Sequence, residues 1–212
     1  MDSAIQIRPY AGSEAIEFIP ELARLRMEVF RDFPYLYDGN LAYERSYLEK
    51  LVQCRESILV VAFENTNVIG VSTGLPLEAE TDNIRQPWID EGHDIHKIFY
   101  YGESVLQKEY RGRGIGVRFF EEREKWVHSH NRFNLITFCA VVRPPDHPMK
   151  PTDYVPLDPF WKKRGFTRTK HMSCQISWQD LGAQTESKKY LHFWVKPLYS
   201  RHFTDKYSNA IL

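Results

Sequence analysis

The feature that most constrains this chain is a glycine-rich turn, YRGRGIG at residues 110–116, set between an apolar run at Ile98 to Leu106 and an amphipathic run at Ile115 to His130. The first run has the composition of a strand and the second the spacing of a helix. Glycines at such a junction allow positive φ and let a ligand approach the backbone closely. The first N–H groups of the helix have no partners within it, and the helix dipole makes that end positive. Arg111 and Arg113 add full charges. The turn therefore reads as an anion cradle suited to phosphate, against the alternative of an ordinary loop that contains three glycines. A Walker loop is excluded because no GK[ST] follows four spacer residues. A dinucleotide fingerprint is excluded because the spacing is Gly112-x-Gly114-x-Gly116 and no further β-α-β-α series follows.

The rest of the chain supplies the frame. Ala4 to Arg8 alternates like a strand that Pro9 ends. Pro20 suits the first turn of a helix that carries Leu22, Leu25 and Val29, and a second helix is expected over Leu41 to Arg55. Ser57 to Phe63 and Val68 to Leu75 form a hairpin about Glu64 to Asn67. Glu78 to Lys97 reads as polar and irregular, either a solvated loop or an acidic lid that favours a cation. After the glycine turn and its helix come a strand at Leu135 to Val142 and a stiff proline-dense loop. A short helix over Pro159 to Lys163 follows, capped by Gly165, and two strands near Arg168 to Ser177 and Lys189 to Lys196 complete the set. The expected fold is α/β, a mixed sheet of about seven strands with flanking helices, in a single domain over 1–197 with a C-terminal tail at 198–212.

Composition narrows the partners. Lys plus Arg and Asp plus Glu are both 28, so the chain lacks the global positive field of a nucleic-acid binder. The longest wholly apolar run, Ile58 to Phe63, falls far short of the roughly 20 residues that span a bilayer. Cys54, Cys139 and Cys174 are sparse and odd in number, and Met1 is followed by Asp2 rather than by a basic and apolar leader. The expectation is a cytoplasmic protein with no nucleic acid, membrane or metal partner. His93, Asp94 and His96 fit no standard zinc spacing.

Arg111-x-x-Gly114-x-Gly116 between a strand and a helix resembles the acyl-CoA loop, [Q/R]xxGx[G/A], of the GNAT superfamily of N-acetyltransferases. Phe160-Trp161-Lys162-Lys163-Arg164-Gly165-Phe166 is similar to the second signature of that family, and the element order matches over residues 4 to 197. The resemblance implies acetyl-CoA as co-substrate. Its pyrophosphate would be held by Arg111, Gly112, Arg113, Gly114, Ile115 and Gly116, its pantetheine arm paired along Ser104, Val105 and Leu106, and Phe160 packed beside it. The strand at Leu135 to Val142 is expected to splay away and open the gap, with the oxyanion near the backbone N–H of Leu106.

The resemblance also implies the chemistry, attack of an amine on a thioester. Glu103 is the expected base, with a pKa raised by burial, or else a carboxylate that binds the acceptor's ammonium or pairs with an arginine. The family's usual acid, a tyrosine, is replaced here by Trp161, whose indole holds its proton at neutral pH. Tyr154 is the candidate that reaches in from the proline-dense loop. Phe33, Tyr35 and Tyr37 are expected either to wall the acceptor pocket or to cover the sheet edge. The expected activity is transfer of an acetyl group to a small-molecule amine, with a homodimer as the suggested assembly. A protein or peptide acetyltransferase and a non-catalytic acyl-CoA-binding module remain the alternatives.

Overall fold

The structure, a computed structural model, describes residues 4–198, with the backbone alone at positions 42, 43, 45 and 46. The tail expected at 198–212 lies outside these residues except for Leu198. The strands are β1 (Ile5–Ala11), β2 (Ile58–Glu64), β3 (Asn67–Pro76), β4 (Ile98–Leu106), β5 (Leu135–Val141), β6 (Thr167–Gln179) and β7 (Glu186–Pro197). The helices are α1 (Ile19–Val29), α2 (Leu41–Gln53), α3 (Asp82–Asp90), α4 (Ile115–Ser129) and α5 (Asp158–Lys162). The seven strands form one sheet in the order β1-β2-β3-β4-β5-β7-β6. Among the described residues only β4 and β5 pair in parallel, and α4 is the crossover between them.

The alternation of apolar residues along the strands gives the sheet two buried faces. Leu22 and Leu25 of α1, Leu48 and Leu51 of α2, and Ile84 and Trp88 of α3 pack on one, with Ile98, Tyr100 and Val105 of β4. Phe119, Phe120 and Val127 of α4 pack on the other, with Phe99 and Tyr101.

Two local expectations are corrected. Pro9 does not end β1, which continues to Ala11 with Pro9 opposite Val60. The strand lies at the sheet edge, where a missing N–H can face outward. The segment at Glu78 to Lys97 is not an open loop either, because α3 occupies its middle and buries Ile84 and Trp88, four residues apart. Three of its acids are held in ion pairs. Glu78 pairs with His96 and Arg132, Asp82 with Arg85, and Glu80 with Lys50 at 2.7 Å.

Candidate active site

The end at the glycine turn is a matter of backbone. Gly112 and Gly114 have φ of +78° and +79°, in the left-handed region that glycine tolerates, and a Cβ at either would meet nothing within 4 Å. Gly114 is the N-cap of α4, and its carbonyl accepts from Val117 and Arg118 at 3.0 and 3.2 Å. Among the described residues, no carbonyl accepts the backbone N–H groups of Gly112 to Gly116. Ile115 is buried and anchors the turn in the core. Phe160 lies 5.6 Å from Phe120, and its ring edge would be 3.4 Å from a Cβ at Gly116. Arg111 donates to the Leu106 carbonyl at 3.3 Å and lies 3.7 Å from Asp32. Arg113 stacks 5.1 Å from the Tyr110 ring centre. These features fit a phosphate-bearing ligand: an open cradle of free donors at the positive end of a 15-residue helix.

Below the turn the sheet opens. β4 and β5 pair only through Ile98, Phe99 and Tyr100 against Leu135, Ile136 and Thr137, after which β5 continues along β7 as far as Val141. The N–H of Gln107 donates to the Ile69 carbonyl of β3 at 3.0 Å. Alternation along the strand turns the backbone of Val105 the same way and that of Ser104 and Leu106 toward the gap. The Leu106 carbonyl, bonded to Arg111, lies on that open side. Val105 is therefore corrected as a cofactor contact, because its backbone belongs to β3 and its side chain is fully buried.

Glu103 owes its position to a bulge. The register moves from Ser72 opposite Ser104 to Gly74 opposite Tyr101, so β4 carries one extra residue at Gly102 and Glu103. Strict alternation would send Glu103 to the face of Phe99 and Tyr101. The bulge instead sends Glu103 and Val105 to the face of Ile98 and Tyr100, where α1 lies. There Arg26 forms ion pairs with both Glu103 and Glu44. The Thr73 hydroxyl donates to the second Glu103 oxygen at 2.6 Å and accepts from the Glu103 N–H at 2.9 Å. Burial pushes the Glu103 pKa up, but the Arg26 guanidinium and the Thr73 hydroxyl outweigh it and hold the carboxyl below its usual range. The expectation of a raised pKa is thus corrected: Glu103 is a buried, ionised carboxylate paired with an arginine.

An aromatic face gathers around this pair. The Tyr35 ring lies 4.4 Å from Phe30 and 6.1 Å from Trp178. Burial raises the Tyr35 pKa, as do Cys139 and Glu103 close by. Tyr100 and Cys139 touch at 3.0 Å across the mouth of the gap. Tyr154 packs edge-on against Phe33 at 4.7 Å, and burial with Asp158 raises its pKa, so its phenol keeps its proton at neutral pH. Phe33 and Tyr154 are therefore brought together, and Tyr35, in the same loop as Phe33, packs against Phe30 and Trp178. Tyr37 does not join them, since it sits in the core and its N–H donates to Phe30, so its role as a pocket wall is corrected to a structural one. Trp161 packs 5.0 Å from Phe138 and 5.1 Å from Trp194, as a core residue does.

Sequence reasoning missed Arg26, Glu44, Thr73 and Arg143. Arg26 and Glu44 lie on helices whose charges read as surface, and Thr73 follows another small polar residue, Ser72, in a mostly apolar strand. Arg143 donates to the Pro34 and Tyr35 carbonyls at 2.7 and 2.6 Å and to both oxygens of Asp180. It latches the loop at 30–38 to the proline-dense segment. No signal short of the fold would reveal that contact. Among the described residues, no group of three or more His, Cys, Asp or Glu is arranged to hold a metal, and no helix is long and apolar enough to cross a membrane.

No family model matches the chain, and no curated protein matches it by sequence. Solved structures do match over nearly the whole length. An acetyltransferase of the GNAT family from Streptococcus pneumoniae superimposes with a TM-score of 0.56 at 17% identity, over 92% of this chain and 100% of that one. A Salmonella typhimurium protein assigned as an acetyltransferase, with its cofactor acetyl-CoA, gives 0.57 at 12% identity over 94% and 96%. A ribosomal-protein-alanine N-acetyltransferase from Brucella melitensis gives 0.56 at 14% identity over 91% and 99%. The splayed strands, the glycine turn and these likenesses show the fold: it is the one shared by the GNAT acetyltransferases.

Proposed function

We propose that this protein is an acetyl-CoA-dependent N-acetyltransferase that acts on the amine of a small molecule. The observation that carries the reading is the gap between β4 and β5, with an open phosphate cradle at one end and a buried carboxylate at the other. Gly112 to Gly116 would hold the pyrophosphate, and the outward backbone of Ser104 and Leu106 would pair with the pantetheine arm. The thioester supplies an activated acyl group and a thiolate of pKa about 8.5 as leaving group. The N–H of Leu106 would stabilise the charge that develops on the carbonyl oxygen. Glu103, ionised and fixed by Arg26 and Thr73, would hold the acceptor's ammonium and take its proton through water. Its depressed pKa makes it a weaker base than a carboxyl in an apolar pocket, and a stronger counter-ion. Tyr154 would lend its proton to the departing thiolate.

The latch of the proline-dense segment to the loop at 30–38 supports a small acceptor, because Arg143 holds the two segments together beside Tyr35. The test is competition. Aliphatic amines, amino acids and short peptides are offered together with acetyl-CoA, and the products are weighed. Acetylation of free amines ahead of peptides supports the reading, and acetylation of peptides alone overturns it. The engagement of both Glu103 oxygens favours a second reading, a non-catalytic acyl-CoA-binding module, for which no product would form.

A further inference from the structure

Arg123 is a charged core residue with no part in the chemistry above. It lies midway along α4, on the sheet face opposite Arg26, and only 1% of it is exposed. No carboxylate among the described residues forms an ion pair with it. Its guanidinium lies 4.0 Å from the Tyr101 ring centre and 4.8 Å from that of Phe120. Burial without a counter-ion pulls its pKa down to about 10. An apolar side chain would sit in that aromatic cage at lower cost, so the reason for a guanidinium lies in what it touches.

Nε donates to the Phe119 carbonyl of its own helix at 3.2 Å, and Nη1 reaches the sheet and donates to the Thr73 carbonyl at 3.1 Å. Thr73 is the β3 residue opposite the bulge, where the ladder to β4 is interrupted. On the other face the same threonine gives its hydroxyl to Glu103 and takes the Glu103 N–H. Gly102 leaves room for that hydroxyl, since a Cβ there would lie 2.4 Å from it. An unbroken line of polar contacts thus crosses the sheet, from Arg123 through Thr73, Glu103 and Arg26 to Glu44.

We propose that Arg123 is a positioning residue for Glu103, acting through Thr73, and that it ties the helix bearing the cofactor turn to the carboxylate that receives the acceptor. The second half of this statement rests on the acetyltransferase reading, and the first does not. Glu103 faces the cations Arg26 and Lys50 on the side of α1 and α2, and Arg123 adds a weaker positive charge from beneath the sheet.

Two measurements test it. The first uses a double-mutant cycle on thermal unfolding at pH 7, with Arg123→Met and Glu103→Gln. If Arg123 acts through Thr73 on Glu103, the combined Tm shift differs from the sum of the single shifts. Additive shifts would overturn the proposal, and this readout needs no acceptor. The second is the pH profile of kcat/KM. Losing the cation lets the Glu103 pKa rise, so the acid limb of Arg123→Met moves to higher pH, with kcat lower by about tenfold and the acetyl-CoA KM unchanged. Arg123→Lys, which keeps the charge, returns the limb toward the wild-type position. A limb that stays in place in Arg123→Met contradicts the proposal. If the wild type acetylates no amine, the acetyltransferase reading fails and the cycle alone decides on Arg123.

Discussion

The two ends of the gap are built from different materials. The glycine-turn end, where we place the cofactor, consists of backbone: two glycines at positive φ and a helix terminus whose first N–H groups have no partner within the helix. The carboxylate end, where we place the acceptor, consists of side chains drawn from distant elements, with Arg26 from α1, Glu44 from α2, Thr73 from β3 and Glu103 from β4. Backbone donors serve any ligand that carries the same phosphate, so that end suits a shared co-substrate. A side-chain cluster can be changed residue by residue, so that end suits a particular acceptor. The difference teaches where variation in such a protein should alter rate and specificity and where it should only abolish binding.

This contrast can be broken most forcefully at Arg26. Arg26→Met leaves two buried carboxylates without their cation and should lower stability by about 3–5 kcal/mol, read by urea unfolding at pH 7. The loss should shrink under acid. The Glu103 pKa is depressed in the folded protein, so its stabilising share is present above the unfolded carboxylate pKa and fades as pH falls through the folded one. The next largest effect is on rate. Glu103→Gln should slow acetyl transfer by about 10²-fold, while the rise in Tm produced by acetyl-CoA stays as in the wild type. A loss of that rise would mean the two ends are not separable.

At the opposite end, Gly114→Ala forces a Cβ onto a φ of +79° and should weaken acetyl-CoA by about tenfold through misplaced donors. Calorimetric titration reads this, and an acceptor KM that rises equally would count against the division. Tyr154→Phe should reduce kcat by less than about tenfold, because a thiolate of pKa about 8.5 leaves without much help. A larger drop would give Tyr154 a central part. Tyr37→Phe should leave acceptor kinetics unchanged, as befits a core side chain.

The sequence made the cofactor end legible because its signal is local. Glycine spacing, the strand before it and the helix after it all lie between Ile98 and Ser129, and each follows from backbone physics. The sheet was legible for the same reason, with β4 in register at Ile98 to Leu106. The acceptor end was not. The bulge at Gly102 and Glu103 inverts the face of every later β4 residue, and no period-two pattern announces it. The depressed Glu103 pKa depends on Arg26, 77 positions away in the chain. Helix α3 was hidden by Pro87 within it and by only two inward residues, Ile84 and Trp88.

The most direct test of the central claim is release of free coenzyme A thiol from acetyl-CoA, followed in the presence and absence of a panel of aliphatic amines. The account predicts release that depends on at least one amine, with the acetyl group recovered on that amine, and that falls about 10²-fold in Glu103→Gln. Release that is independent of every amine, or that is unchanged by Glu103→Gln, would contradict it.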